Sequence, residues 1–102
     1  MPDSPPRASR QVVVIDPLGL HLRPAARLVI LAKSFLSDIR VMCKGTVADG
    51  RSLLELIVLA AGGGTTVEIV AVGPDAEEAV IALADLIGTD HEAPPFRGAA
   101  AA

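Results

Sequence analysis

The chain has 102 residues, a formal net charge of −3 and 51% apolar residues, with two Phe and neither Trp nor Tyr. That length suits one small domain rather than two, and any core it builds must be aliphatic. Mild acidity and scarce aromatics exclude a nucleic-acid binder, which needs a basic patch and usually stacking rings, and no apolar run approaches a membrane span. The opening residues lack the apolar stretch of a signal peptide, and the single Cys43 cannot close an internal disulfide, so a cytoplasmic setting is expected.

Residues 1–9 are rich in Pro, Ser and Arg and are expected to form a disordered arm; residues 89–102, which hold His91, are expected to form a disordered tail. The domain then spans 10–88. Its first strand is expected at QVVVI (11–15), a β-branched run, followed by a turn at 16–19. From Leu22 to about Leu36 the spacing predicts a helix, with Ala25, Leu28, Ala32 and Phe35 on one face. Residues 39–43 alternate as a strand with Ile39, Val41 and Cys43 pointing one way, which makes Cys43 a small core residue. A short strand at 46–48 and a turn at Asp49-Gly50 follow.

Ser52 and Glu55 have the Ser-x-x-Glu spacing of a capping box at the start of a short helix, and the glycine run 62–64 is expected to end it. A strong strand covers 65–72. A last helix begins near Asp75, buries Ala76, Val80, Leu83, Ala84 and Ile87, and ends at Gly88. The order βαββαβα predicts an α+β fold, an open-faced β-sandwich in which three helices cover one face of a four-stranded, mostly antiparallel sheet.

The chemistry concentrates at 18–26, LGLHLRPAA. Gly19 lets the chain turn sharply out of the first strand. Pro24 is tolerated only in the first turn of a helix, where its missing N–H has no carbonyl to bond, so it fixes the helix start close to His21. Free amides, the positive end of the helix dipole and the Arg23 guanidinium then surround the imidazole. Such a place suits an anion, and above all a phosphoryl group. A neutral imidazole can attack phosphorus, and the product would be held by those amides and Arg23. From spacing alone the alternative stands that His21 merely caps a helix.

The segment Gly19-Leu20-His21-Leu22-Arg23-Pro24-Ala25-Ala26 resembles the active-site motif of HPr, the histidine-containing phosphocarrier of the phosphoenolpyruvate:sugar phosphotransferase system, and Arg51-Ser52-Leu53-Leu54 resembles that family's second signature. The resemblance covers about residues 10–88. It implies that His21 is phosphorylated through Nδ1, that Arg23 stabilises the phosphate, and that Leu22 and Pro24 form the helix-start cradle around it. It further implies that Leu53, Leu54, Ile57 and Arg27 dock partners, and that Ser52 matches a serine phosphorylated by a regulatory kinase in some lineages. Leu18, Leu22 and Ile30 depart from the family pattern, where polar, small or Lys residues are usual, and make the mouth of the site more apolar.

Ser52 also has a complete explanation as an N-cap, a role worth about 1 kcal/mol. A phosphate there would sit at a helix start and place charge beside the docking patch. The short helix carrying Leu53, Leu54, Leu56, Ile57 and Leu59 is apolar on nearly every side, more than one core-facing stripe can use. The glycine run lacks the Lys-Ser/Thr of a P-loop and is read as a loop.

The expected function is that of a monomeric phosphoryl carrier rather than a free-standing enzyme. It would take the group from enzyme I and pass it to enzyme II A-type domains or regulatory acceptors, with a serine kinase or phosphorylase as a further partner. No metal or cofactor is expected, since no ligand cluster exists. Two readings stand beside it: a regulatory adaptor of the same fold that binds a kinase, transcription factor or enzyme according to phosphorylation state, and a small-molecule-binding domain, which would need a deep pocket.

Overall fold

The computed structural model describes residues 4–89. Within them run β1 (Arg7–Val13), α1 (Leu22–Ala32), β2 (Asp38–Cys43), β3 (Thr46–Asp49), α2 (Leu53–Leu59), β4 (Thr66–Val72) and α3 (Ala76–Gly88). The sheet order is β1-β4-β2-β3 and every neighbouring pair is antiparallel. Ile39, Val41 and Cys43 of β2 and Val67, Ile69 and Ala71 of β4 are buried on one face, and the helices pack there. This is the open-faced α+β sandwich expected from the element order.

The core is aliphatic, as the composition requires: Val14, Leu28, Ile39, Val41, Leu56, Val67, Ile69, Val80 and Leu83 are fully buried. Cys43 is a free, buried thiol among them. The one buried polar residue among those described, Ser37, is satisfied from α3. Asp75 stands at the helix start but does not cap it. Its Oδ1 instead accepts the Ser37 N–H at 2.9 Å and hydroxyl at 2.6 Å, and its Oδ2 accepts the Leu36 N–H at 2.8 Å. These donors hold the Asp75 carboxyl below the usual carboxylate range, the Ser37 hydroxyl foremost and the Leu36 amide next.

Three boundaries differ from the sequence-based expectation. β1 covers Arg7–Val13 rather than 11–15, so residues 7–9 belong to a strand and not to a disordered arm. They pair with Val72, Ala71 and Val70. An edge strand is held by backbone bonds that do not depend on an apolar pattern, and only Ala8 and Val12 of β1 pack against the core. Helix α1 stops at Ala32, short of Leu36. Its exit turns through Phe35, whose N–H reaches the Ala32 carbonyl at 3.2 Å, while the Ser34 hydroxyl donates to the Leu31 carbonyl at 2.6 Å. Helix α2 ends before the glycine run, at Ala60, which turns into the left-handed region with φ 56° and returns its N–H to Ile57. Residues 1–3 of the expected arm, and 90–102 of the expected tail including His91, lie outside the described residues.

Candidate functional site

The loop that carries His21 is built by backbone contacts with the chain leaving α2. Gly19 has φ +76°, and a Cβ there would overlap the Ala61 carbonyl oxygen. The next residue, Leu20, donates its N–H to that same oxygen at 2.9 Å and is buried. Gly63 packs against an earlier part of the same loop: a Cβ on it would stand 2.6 Å from the Asp16 carbonyl oxygen and 2.7 Å from that of Pro17. The glycine run thus supports the loop at 16–20 by presenting bare backbone to it. The Val14 N–H to Thr65 O (2.9 Å) and Gly64 N–H to Val14 O (2.8 Å) bonds complete the junction.

His21 is the N-cap residue of α1, and its carbonyl accepts the Ala25 N–H at 3.0 Å. No side chain caps this helix, and its first turn holds no acidic residue. The remaining first-turn amides, Pro24 having none, have no carbonyl of the preceding turn to bond. Helix α2 offers a contrast. There Ser52 Oγ accepts the Glu55 N–H at 3.2 Å, while the Glu55 carboxylate accepts the Asp49 N–H at 2.8 Å. The expected capping box is therefore only half formed: the Ser52 amide is already bonded to the Asp49 carbonyl at 3.0 Å, so Glu55 serves the residue before the turn.

One contact of His21 escapes any reading of spacing. Its Nε2 lies 3.1 Å from Asp16 Oδ2, with both side chains partly buried. The other oxygen, Oδ1, accepts the Leu18 N–H at 2.9 Å. The Leu18 amide first, and the His21 contact next, pull the Asp16 carboxyl below the usual range, with the Arg23 charge a smaller contributor. An Asp two residues before a turn amide is a recognisable Asx-turn signal, but nothing in the sequence indicates that its second oxygen meets the imidazole.

Leu22 and Arg23 are exposed in the first turn and Pro24 is half-buried. Arg23 and Arg27, one turn apart, share an open cleft of about 400 Å³ with Asp16, Pro24 and Ile87. On α2, Leu56 and Leu59 face the core, while Leu53, Leu54 and Ile57 are 36%, 72% and 39% exposed. Val58, 69% exposed, extends this stripe and was not singled out by sequence. Leu18 and Leu22 add exposed apolar surface beside His21. Among the described residues no cluster of His, Cys, Asp and Glu is placed to hold a metal, and no helix is long and apolar enough to cross a membrane.

Residues 8–89 match the family described as the PTS HPr component phosphorylation site. The chain belongs to the HPr family. It is 41% identical over 78 residues to the phosphocarrier protein HPr of Cupriavidus necator, covering 76% of this chain and 88% of the relative. It is 36% identical over 81 residues to the phosphocarrier protein NPr of Shewanella violacea, covering 79% and 89%. The crystal structure of HPr from Bacillus anthracis superposes with a TM-score of 0.76 at 36% identity, over 79% of this chain and 96% of the other. Membership makes this HPr relative a phosphocarrier of the phosphotransferase system, a class that works through phosphohistidine in sugar transport.

Proposed function

We propose that His21 accepts a phosphoryl group on Nδ1 from a phosphorylated histidine of enzyme I, and passes it to enzyme II A-type domains or regulatory acceptors in the cytoplasm. The observation that carries this reading is the start of α1. Its N-cap is an imidazole, its first turn has neither side-chain cap nor acid, and Arg23 stands two residues on. A phosphoryl group on His21 would supply the anion that this helix end lacks. The protein's work in the transfer is positioning and charge, since the N–P bond forms at His21 as the donor's breaks.

Arg23 is the phosphate-stabilising residue in this reading. Leu53, Leu54 and Ile57, with Arg27 on the neighbouring helix, form the surface on which enzyme I and acceptors dock. Incubation with enzyme I and phosphoenolpyruvate, followed by intact-mass analysis, tests it. The wild type should gain one phosphoryl mass that is lost in acid, and His21→Ala should gain none. Full labelling of His21→Ala would overturn the assignment. Arg23→Ala should keep the fold and slow the transfer.

A further inference from the structure

We infer that Asp16 is a positioning residue for phosphoryl transfer: its carboxylate holds the proton of the His21 ring on Nε2 and so leaves Nδ1 as the nucleophile. The inference rests on the reading of His21 as phosphoryl acceptor and adds a residue to that site. The geometry is a relay of fixed parts. Asp16 follows directly from the chain leaving the sheet, and its Oδ1 is anchored by the Leu18 N–H at 2.9 Å. That anchor directs Oδ2 at the ring, 3.1 Å from Nε2. An ionised carboxylate only accepts hydrogen bonds, so Nε2 must donate. A ring that carries its single proton on Nε2 has its lone pair on Nδ1, because the partner of one nitrogen sets the state of the other.

The chemistry gains in both directions. When Nδ1 attacks phosphorus, its N–P bond forms while the N–P bond of the donor phosphohistidine breaks, and the electron pair leaves with the donor nitrogen. The His21 ring keeps its Nε2 proton throughout and becomes cationic. The Asp16 carboxylate then faces a full positive charge that was absent before attack, so the contact strengthens as the reaction proceeds. In onward transfer the same retained proton makes the leaving group a neutral imidazole rather than an imidazolate. Asp16 also sets a negative charge against the positive field of Arg23 and the helix start, which by themselves disfavour a cationic ring.

The test uses the full chain labelled with ¹⁵N in its histidine rings, where the shifts of Nδ1 and Nε2 report the tautomer; His91→Gln identifies the His21 signals. Asp16→Asn keeps an oxygen for the Leu18 N–H but turns an NH₂ donor toward Nε2. It should move the neutral His21 ring toward the Nδ1–H form and slow phosphorylation by enzyme I about tenfold to a hundredfold, the effect of losing a hydrogen bond to a charged group. Asp16→Ser preserves the turn without reaching the ring; it should leave a mixture of tautomers and an intermediate rate. Unchanged tautomers in Asp16→Asn, or an unchanged rate, would overturn the role of Asp16 while His21 remains the acceptor. A wild-type protein that takes no phosphoryl group on His21 would overturn the carrier reading itself, and with it the role in transfer.

Discussion

Leu20 gives its backbone N–H to the carbonyl of Ala61 at 2.9 Å, so the residue before His21 is fastened to the chain that leaves α2. The helix that presents the apolar stripe and the loop that presents the imidazole are thereby joined by a direct backbone bond. Leu54 and Ile57, part of the proposed docking surface, are thus tied through this bond to the loop that carries His21.

Two neighbouring glycines test that coupling. Gly63 has φ in the ordinary range, but a Cβ on it would stand 2.6 Å from the Asp16 carbonyl oxygen; Gly62 has only Thr65 Oγ1 nearby, at 3.6 Å. Gly63→Ala must push the loop at 16–20 aside. It should cost about 1–3 kcal/mol, in the range of overpacking a closed site, and slow phosphoryl transfer. Gly62→Ala should leave transfer unchanged and stability the same or up to about 1 kcal/mol higher, since it restricts only the unfolded chain. Urea melts and a transfer assay on the pair separate the effects. Equal behaviour of the two variants would show that the glycine run does not support the site.

The N-terminal edge of the domain gives a second prediction. Removing residues 1–9 strips Arg7, Ala8 and Ser9 from their pairing with Val72, Ala71 and Val70 and exposes the end of β4. That truncation should lower stability by about 1–3 kcal/mol, several net backbone bonds at about 0.5–1.5 kcal/mol each less the ordering they required. A chain beginning at residue 5 should melt like the full protein. Thermal unfolding of the two truncations checks this, and coincident melts would place the true start of the folded unit after Ser9.

How much of this was legible in the sequence depends on what each feature rests on. Strand β2 was readable because Ile39, Val41 and Cys43 alternate against a buried face, and the start of α1 because Pro24 permits only one placement. The first residues of β1 were not, because Arg7, Ser9 and Arg10 face solvent, only Ala8 among them packs against the core, and main-chain pairing with β4 does most of the holding. At the site, the placement of His21 and Arg23 at the start of α1 followed from local spacing, while their roles came from the family resemblance. The Asp16 contact with the imidazole, the reach of Glu55 to Asp49 and the support of Gly63 under Pro17 did not. Each of these depends on how a loop folds back on itself or on a segment more than forty residues away.

Acid stability should depend on Asp75. Its folded carboxyl is held below the usual carboxylate range by the Ser37 hydroxyl and the Leu36 and Ser37 amides. A depressed carboxylate stabilises the fold above its unfolded pKa, and that contribution is lost as pH falls through the folded value. Wild-type stability should therefore decline as pH drops from about 4, the ordinary carboxylate range. Asp75→Asn should be less stable at neutral pH and show a shallower acid decline, with Asp16 still contributing in the same window because its carboxyl is depressed too. Urea midpoints from pH 7 to pH 2.5 measure both slopes. Parallel curves would mean that Asp75 keeps its unfolded titration in the native protein.

Ser52 separates capping from regulation. Its hydroxyl oxygen accepts the Glu55 N–H at the start of α2, and the next residues, Leu53 and Leu54, open the exposed apolar stripe. Ser52→Ala removes the cap and should cost about 1 kcal/mol, with transfer at His21 nearly intact because the hydroxyl does no chemistry there. Ser52→Asp retains a capping oxygen and adds negative charge at a helix N-terminus, so stability should hold or rise by a few tenths of a kcal/mol, up to about 1. That same charge sits beside the proposed docking surface and should weaken engagement of enzyme I, as a phosphate on Ser52 would more strongly. The two variants should thus cross, Ala less stable but fast and Asp stable but slow. Thermal melts and transfer rates at sub-saturating enzyme I decide the matter. If Asp transfers as fast as wild type, Ser52 does not border the docking surface, and capping is its whole role in this protein.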